Sequence, residues 1–189
     1  MLFLRLLLAH LAGDFLFQTN LIFRLKSKNI WGVALHSFIV FLTSVVVFLP
    51  WLDKEVIWLG LALLLVSHVL VDQLKNILDK KVNNKPFLFI FDQILHLAIL
   101  ICLAAWWGAV QPGIFIGTRF MQIYQNHLLT FLLAGLIFVS YVIDVAAYIF
   151  KSQCRENLKY RRNYNEMIWR SVLFAALFLL GVGWLIISL

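Results

Sequence analysis

The strongest constraint on this chain is that its apolar residues come in runs of about 20, the length a helix needs to cross the hydrocarbon of a bilayer. The runs fall at roughly 2–23, 31–50, 56–78, 87–108, 127–150 and 168–188. A composition that is 63% hydrophobic and 13% charged lies well outside that of a soluble domain, where apolar residues make up ~45–50%. The pattern predicts an all-α integral membrane helix bundle of about six transmembrane helices, forming a single domain over 1–189. The first run opens like a secretory signal. It lacks a small-x-small cleavage site, however, and a signal has no use for His10 and Asp14, so it reads as a span.

The net charge of +7 is explained by topology. Of 16 Lys and Arg residues, all but Arg5, Lys54 and Arg119 flank alternate loops: after span one, around the three–four loop and around the five–six loop. The positive-inside rule places those loops in the cytoplasm and both termini outside. This implies contact with the lipid bilayer and its anionic headgroups and leaves no need for nucleic acid. Cys102 and Cys154 are far apart and form no CxxC, so neither a disulfide framework nor a thiolate metal site is expected. Trp31, Trp51, Trp58, Trp106, Trp107, Trp169 and Trp184 lie near span ends and read as headgroup-level anchors. The segment 109–126 is too interrupted to span and reads as outer surface. The polar loop 151–167 is long enough for a short helix or for a flap over an opening.

Against this apolar background, four of the five histidines lie within spans. Three of them have an aspartate four residues away: His10/Asp14, His68/Asp72 and Asp92/His96. Positions four apart share one helix face, so each pair points in one direction. An ionisable residue at mid-membrane costs roughly 2.5–3.5 kcal/mol on insertion scales, so such a concentration requires compensating partners. Although chain direction alternates, His10, Asp14, His36, His68, Asp72, Asp92, His96 and Asp144 all fall at a similar distance from the cytoplasmic end of their spans. At 1.5 Å per residue they form one layer ~8–20 Å deep.

Two readings of the layer remain open. Imidazoles and carboxylates can satisfy one another as a hydrogen-bonded polar core, with Lys75 neutralising one charge. Four aspartates against one lysine then leave a deficit, which one or two divalent cations would remove. Nitrogen and oxygen ligands without thiolate favour zinc, with manganese or iron as substitutes. The ligand pool is His10, Asp14, His36, His68, Asp72 and His96. Asp92 is a candidate base, and Asp144 is either a ligand or a base hydrogen-bonded to Tyr141 or Tyr148. Lys75 and Gln18 are candidates for substrate contact, Lys75 being equally readable as a topogenic lysine. His127 begins span five without an aspartate neighbour and reads as interfacial.

The first four spans also read as a duplicated hairpin, 1–50 and 56–108, followed by helices five and six over 127–188. In each hairpin a His-x3-Asp is followed by a basic loop and a Leu-His. Coincidence in an apolar sequence of low diversity is the competing reading.

His10-x3-Asp14-Phe15-x2-Gln18-Thr19, Leu35-His36-Ser37, His68-x3-Asp72 and Asp92-Gln93-x2-His96 resemble the signature of a small bacterial inner-membrane family without assigned function, over roughly residues 1–100. His36-Ser37 and His68-x3-Asp72 are also similar to motifs of the membrane-bound metal-dependent hydrolases, themselves similar to zinc-dependent phospholipase C. Leu35 stands where those motifs carry Thr. The resemblance implies an inner-membrane, metal-dependent hydrolase open to the cytoplasmic side and acting on a lipid or other membrane-associated phosphoester. The alternatives are a metal-ion or proton-coupled transporter, since buried His and Asp also serve ion pathways, and a non-catalytic membrane protein with a structural metal.

Overall fold

The computed structural model describes residues 2–108, 110–113, 119–155 and 160–187. Every regular element among them is helical. Helix α1 (Leu2–Leu11) runs into a π-helical turn (Ala12–Leu16), and after a break α2 (Asn20–Lys28) and α3 (Ile30–Val47) follow. Next come α4 (Glu55–Leu78), α5 (Lys85–Trp107), the short α6 (Arg119–Tyr124) and α7 (His127–Ile137). A second π-helical turn (Phe138–Val142) joins α7 to α8 (Ile143–Cys154), and α9 is Tyr164–Ile187.

Four units are long and apolar enough to cross a membrane: Ile30–Val47, Glu55–Leu78, Lys85–Trp107 and the continuous His127–Cys154. The expected span 2–23 is not one helix. Leu2–Leu16 and Asn20–Lys28 meet at 91°, so the described residues show four such spans, or five where the bent pair is taken as one. The cause of the bend is local. Thr19 adopts an extended backbone and its side chain caps α2 by accepting from Ile22 N at 3.3 Å, so a new helix starts where the first run was expected to continue. The sixth expected span, 168–188, lies within or just beyond α9, and its last side chains fall outside the described residues. Other helix starts follow the same chemistry. Asn29, Asn84 and Asn126 accept from the backbone N–H three residues on, at 2.8, 3.0 and 3.1 Å.

The end of the bundle away from the basic loops is an apolar plug of Leu6, Phe48, Ile57, Leu61, Leu100 and Trp107, each at most 2% exposed. Two tryptophans expected as anchors belong to this core. Trp107 donates to Val56 O at 3.1 Å and Trp51 donates to Val110 O at 3.1 Å, so a buried partner replaces the headgroup. Trp31, Trp58, Trp106 and Trp169 are exposed on the helix exteriors, as anchors should be; the side chain of Trp184 is outside the described residues. In the segment 109–126, Met121 is buried and Tyr124 O–H donates to Val46 O, so its described end is tied to the bundle. Residues 109 and 114–118, with Ile114, Phe115 and Ile116, lie outside the described residues.

The backbones of α2 and α3 come close together near Gly32. A Cβ on Gly32 would meet the Leu25 carbonyl carbon and oxygen at 2.1 Å. Glycine in a helix ordinarily costs about 0.5–1 kcal/mol relative to alanine, so in open space Gly32→Ala would stabilise. Here the clash is with backbone, and the expected sign reverses to a loss of ~1–3 kcal/mol, read as a lower thermal midpoint in detergent. An unchanged or higher midpoint would show that α2 does not pack this closely.

Candidate metal centre

Seven of the expected residues meet in one buried cluster. Asp14 comes from the first π-helical turn, His10 from α1, His36 from α3, His68 and Asp72 from α4, and Asp92 and His96 from α5. All are at most 5% exposed. The i, i+4 pairs do share faces: His10 Nε2 lies 3.6 Å from Asp14 Oδ2, His68 Nε2 3.5 Å from Asp72 Oδ2, and His96 Nε2 3.6 Å from Asp92 Oδ1. The histidine rings pack against one another, and those of His68 and His96 stack with centroids 4.3 Å apart.

The tightest part of the cluster is a triangle of donor atoms. Asp14 Oδ1 is 3.0 Å from His36 Nε2 and 3.1 Å from His68 Nε2, and the two nitrogens are 3.3 Å apart. Asp72 Oδ2 lies beside the two nitrogens, 3.7 Å from His36 Nε2 and 3.5 Å from His68 Nε2. A tetrahedral site with bonds of ~2.0–2.1 Å has donors about 3.3 Å apart, and these edges bracket that value. Both Nε2–H groups can donate to Asp14 Oδ1, which leaves the Nδ1 atoms of the two rings as acceptors. The Nδ1 atoms of His10, His36 and His68, Asp72 Oδ2, Asp92 Oδ1 and His96 Nε2 are buried without a hydrogen-bond partner. Buried polar groups are rarely left so. Asp14/His36/His68, Asp72/Asp92/His96 and His10/His68/His96 are each grouped closely enough to hold a metal ion, and the donor chemistry fits a divalent cation. Gln93 Nε2 donates to Asp92 Oδ2 at 3.0 Å, which leaves Asp92 Oδ1 directed at His96.

The lysine of the site is not the one that sequence spacing favoured. Lys26 Nζ lies 2.8 Å from Asp72 Oδ1, and the residue is 8% exposed. Lys75 is half-buried and forms no ion pair within 4 Å among the described residues. The bend before α2 explains the exchange: it swings Lys26 across the mouth of the cluster, where a straight first span would have carried it away. Asn76 Nδ2, on α4, donates to Lys26 O at 2.8 Å and fixes the crossing together with the close contact at Gly32. The sequence carried a signal for this in Thr19-Asn20, a cap placed within an apolar run, and in three cations spaced two apart at Arg24, Lys26 and Lys28.

Asp144 is not a member of the three metal-sized groups. Tyr160 O–H donates to its Oδ2 at 2.9 Å, and Arg170 Nη2 lies 3.6 Å from its Oδ1. Burial, then the bond to Asp144, pushes the Tyr160 phenol up to about 12, so it remains a donor. These partners stand where spacing favoured Tyr141 and Tyr148, because Tyr160, after α8, and Arg170, on α9, reach the carboxylate. Arg162 sits over the Tyr141 ring, 5.1 Å from its centroid, and donates to Gln18 O at 3.3 Å. Tyr160 and Arg162 belong to the loop 151–167, of which residues 156–159 lie outside the described residues. Gln18 occupies the break before α2, with its backbone engaged. His127 is half-buried at the start of α7, outside the three metal-sized groups.

A family model described as protein of unknown function (DUF3307) matches residues 2–121. The chain belongs to that family. The DUF3307 match takes in α1 to α5, and with them all seven clustered residues and Lys26, whereas Asp144, Tyr160 and Arg170 lie beyond it. No curated protein and no solved structure matches the chain.

Proposed function

We propose that this protein is a metal-dependent hydrolase of the bacterial inner membrane, acting on a lipid or membrane-associated phosphoester from the cytoplasmic side. The observation that carries the reading is the convergence of Asp14, His36 and His68 through donor atoms 3.0–3.3 Å apart, with Asp72 beside the two nitrogens. These four hold the ion, zinc being favoured by the ligand types; His10 and His96 flank them. When bound, such an ion supplies Lewis acidity toward a phosphoryl oxygen. Asp92, held by Gln93 and turned into the cluster, accepts the proton of the attacking water. Lys26, at the edge nearest the basic loops, offsets negative charge on the phosphoester. The basic loops face the cytoplasm, leaving both termini outside.

Two features support this reading over the alternatives. The apolar plug built on Phe48, Leu61 and Trp107 closes the far side of the cluster, which suits an enzyme open to one side better than a permeation path. An apolar groove of about 640 Å³ between α3 and α4, lined by Leu35, Phe38, Val66 and Val69 among others, runs beside the helices that carry His36 and His68. Its apolar lining suits an acyl chain.

The test is turnover by zinc-loaded protein in phospholipid nanodiscs, assayed with chromogenic phosphomonoesters, phosphodiesters and carboxylic esters. The expected result is cleavage of a phosphoester, falling ~10²–10⁴-fold in Asp92→Asn while bound zinc is unchanged. Equal rates in wild type and Asp92→Asn would remove Asp92 from the chemistry. A zinc-loaded wild type inert toward every ester would count against the hydrolase reading itself.

A further inference from the structure

We propose that Lys26 is a built-in cation that restricts this cluster to a single divalent ion. The inference rests on the metal-binding reading above and adds the number of ions. Two of the donor groups, Asp14/His36/His68 and Asp72/Asp92/His96, are joined by one carboxylate. Asp72 Oδ2 faces His36 and His68 at 3.7 and 3.5 Å, and Asp72 Oδ1 faces His96 Nε2 at 3.6 Å. A carboxylate shared in this way is what a pair of ions ~3.5–4 Å apart would require. Its second oxygen is already taken. Lys26 Nζ stands 2.8 Å from Oδ1, so a second ion on the Asp72/Asp92/His96 group would share that oxygen with an ammonium.

Charge balance favours the same answer. Asp14, Asp72 and Asp92, each at most 5% exposed, carry three negative charges. The Lys26 ammonium leaves two, which one divalent ion cancels. A second ion beside the lysine would leave the buried site with excess positive charge, which low-dielectric surroundings penalise. Nor is Lys26 a side chain that happens to lean inward. The 91° bend aims α2 across the cluster, Asn76 holds the Lys26 carbonyl at 2.8 Å, and Gly32 permits the backbone contact that sets its height.

The experiment is zinc stoichiometry by elemental analysis and calorimetric titration of full-length protein purified in detergent, comparing wild type, Lys26→Met, Lys26→Arg and Lys75→Met. Wild type, Lys26→Arg and Lys75→Met are expected to take up one equivalent and Lys26→Met two, a twofold change specific to the buried cation. Two equivalents in wild type, or one in a folded Lys26→Met, would overturn the inference while leaving the metal site standing. No zinc in wild type would instead remove the reading on which it rests. Manganese-loaded wild type provides a test independent of any variant. An uncoupled single-ion EPR spectrum is expected, and the exchange-coupled spectrum of a pair would overturn the proposal.

Discussion

Replacing His36 and His68 together by alanine is expected to abolish tight zinc binding, measured by elemental analysis and by competition with a chromogenic chelator. The two rings supply the nitrogens whose 3.3 Å separation defines one edge of the donor triangle, and their loss leaves carboxylates alone on that side. Loss even of residues that only orient metal ligands typically costs 10–100-fold in affinity, so loss of two ligands should exceed ~100-fold. Alanine removes buried rings as well, and folding is checked by retention of a monodisperse detergent peak. His127→Ala, remote from the three metal-sized groups, should bind zinc like wild type. Full zinc occupancy in the folded double variant would show that the ion, if bound, sits elsewhere.

The second large effect concerns stability. Asp72→Ala leaves the Lys26 ammonium without its partner in a site where Asp72 itself is 0% exposed. Removing one member of a buried ion pair costs ~3–5 kcal/mol, whereas replacing both by apolar residues of similar volume is often near neutral. Lys26 lies toward the edge of the bundle, where a flexible stem can carry its charge outward, so the low end, ~3 kcal/mol, is expected. In metal-free detergent samples Asp72→Ala should unfold well below wild type, and Lys26→Met combined with Asp72→Leu should recover most of the loss. If the double variant were no better than Asp72→Ala, the 2.8 Å pair would not be what holds α2 over the site.

The gathering of His10, Asp14, His36, His68, Asp72, Asp92 and His96 was legible before any fold was known, because helical periodicity and distance from a span end are both one-dimensional quantities. Four-residue spacing fixes a face, and a common depth fixes a level. Neither quantity states how far a polar residue near a helix end will travel sideways. Asp144 satisfies the depth rule, yet it is engaged by Tyr160, which follows α8, and by Arg170 of α9. Trp51 and Trp107 satisfy the anchor rule by position, yet packing against Phe48 and a buried carbonyl partner for each indole hold them in the core.

What the sequence determined by itself, then, is the helical membrane-type architecture and the identity of the imidazoles and carboxylates that meet, since both follow from the cost of placing polar groups in hydrocarbon. What only the tertiary structure decided is the cation that faces them. Lys75 lies three residues from Asp72 on the same helix and is the partner that spacing favours. The break at Phe17–Thr19 turns α2 through 91° and brings Lys26 to 2.8 Å instead. A bend multiplies a local backbone choice into a displacement of many ångströms, and such a lever can be read only once the helices on either side of it have been packed.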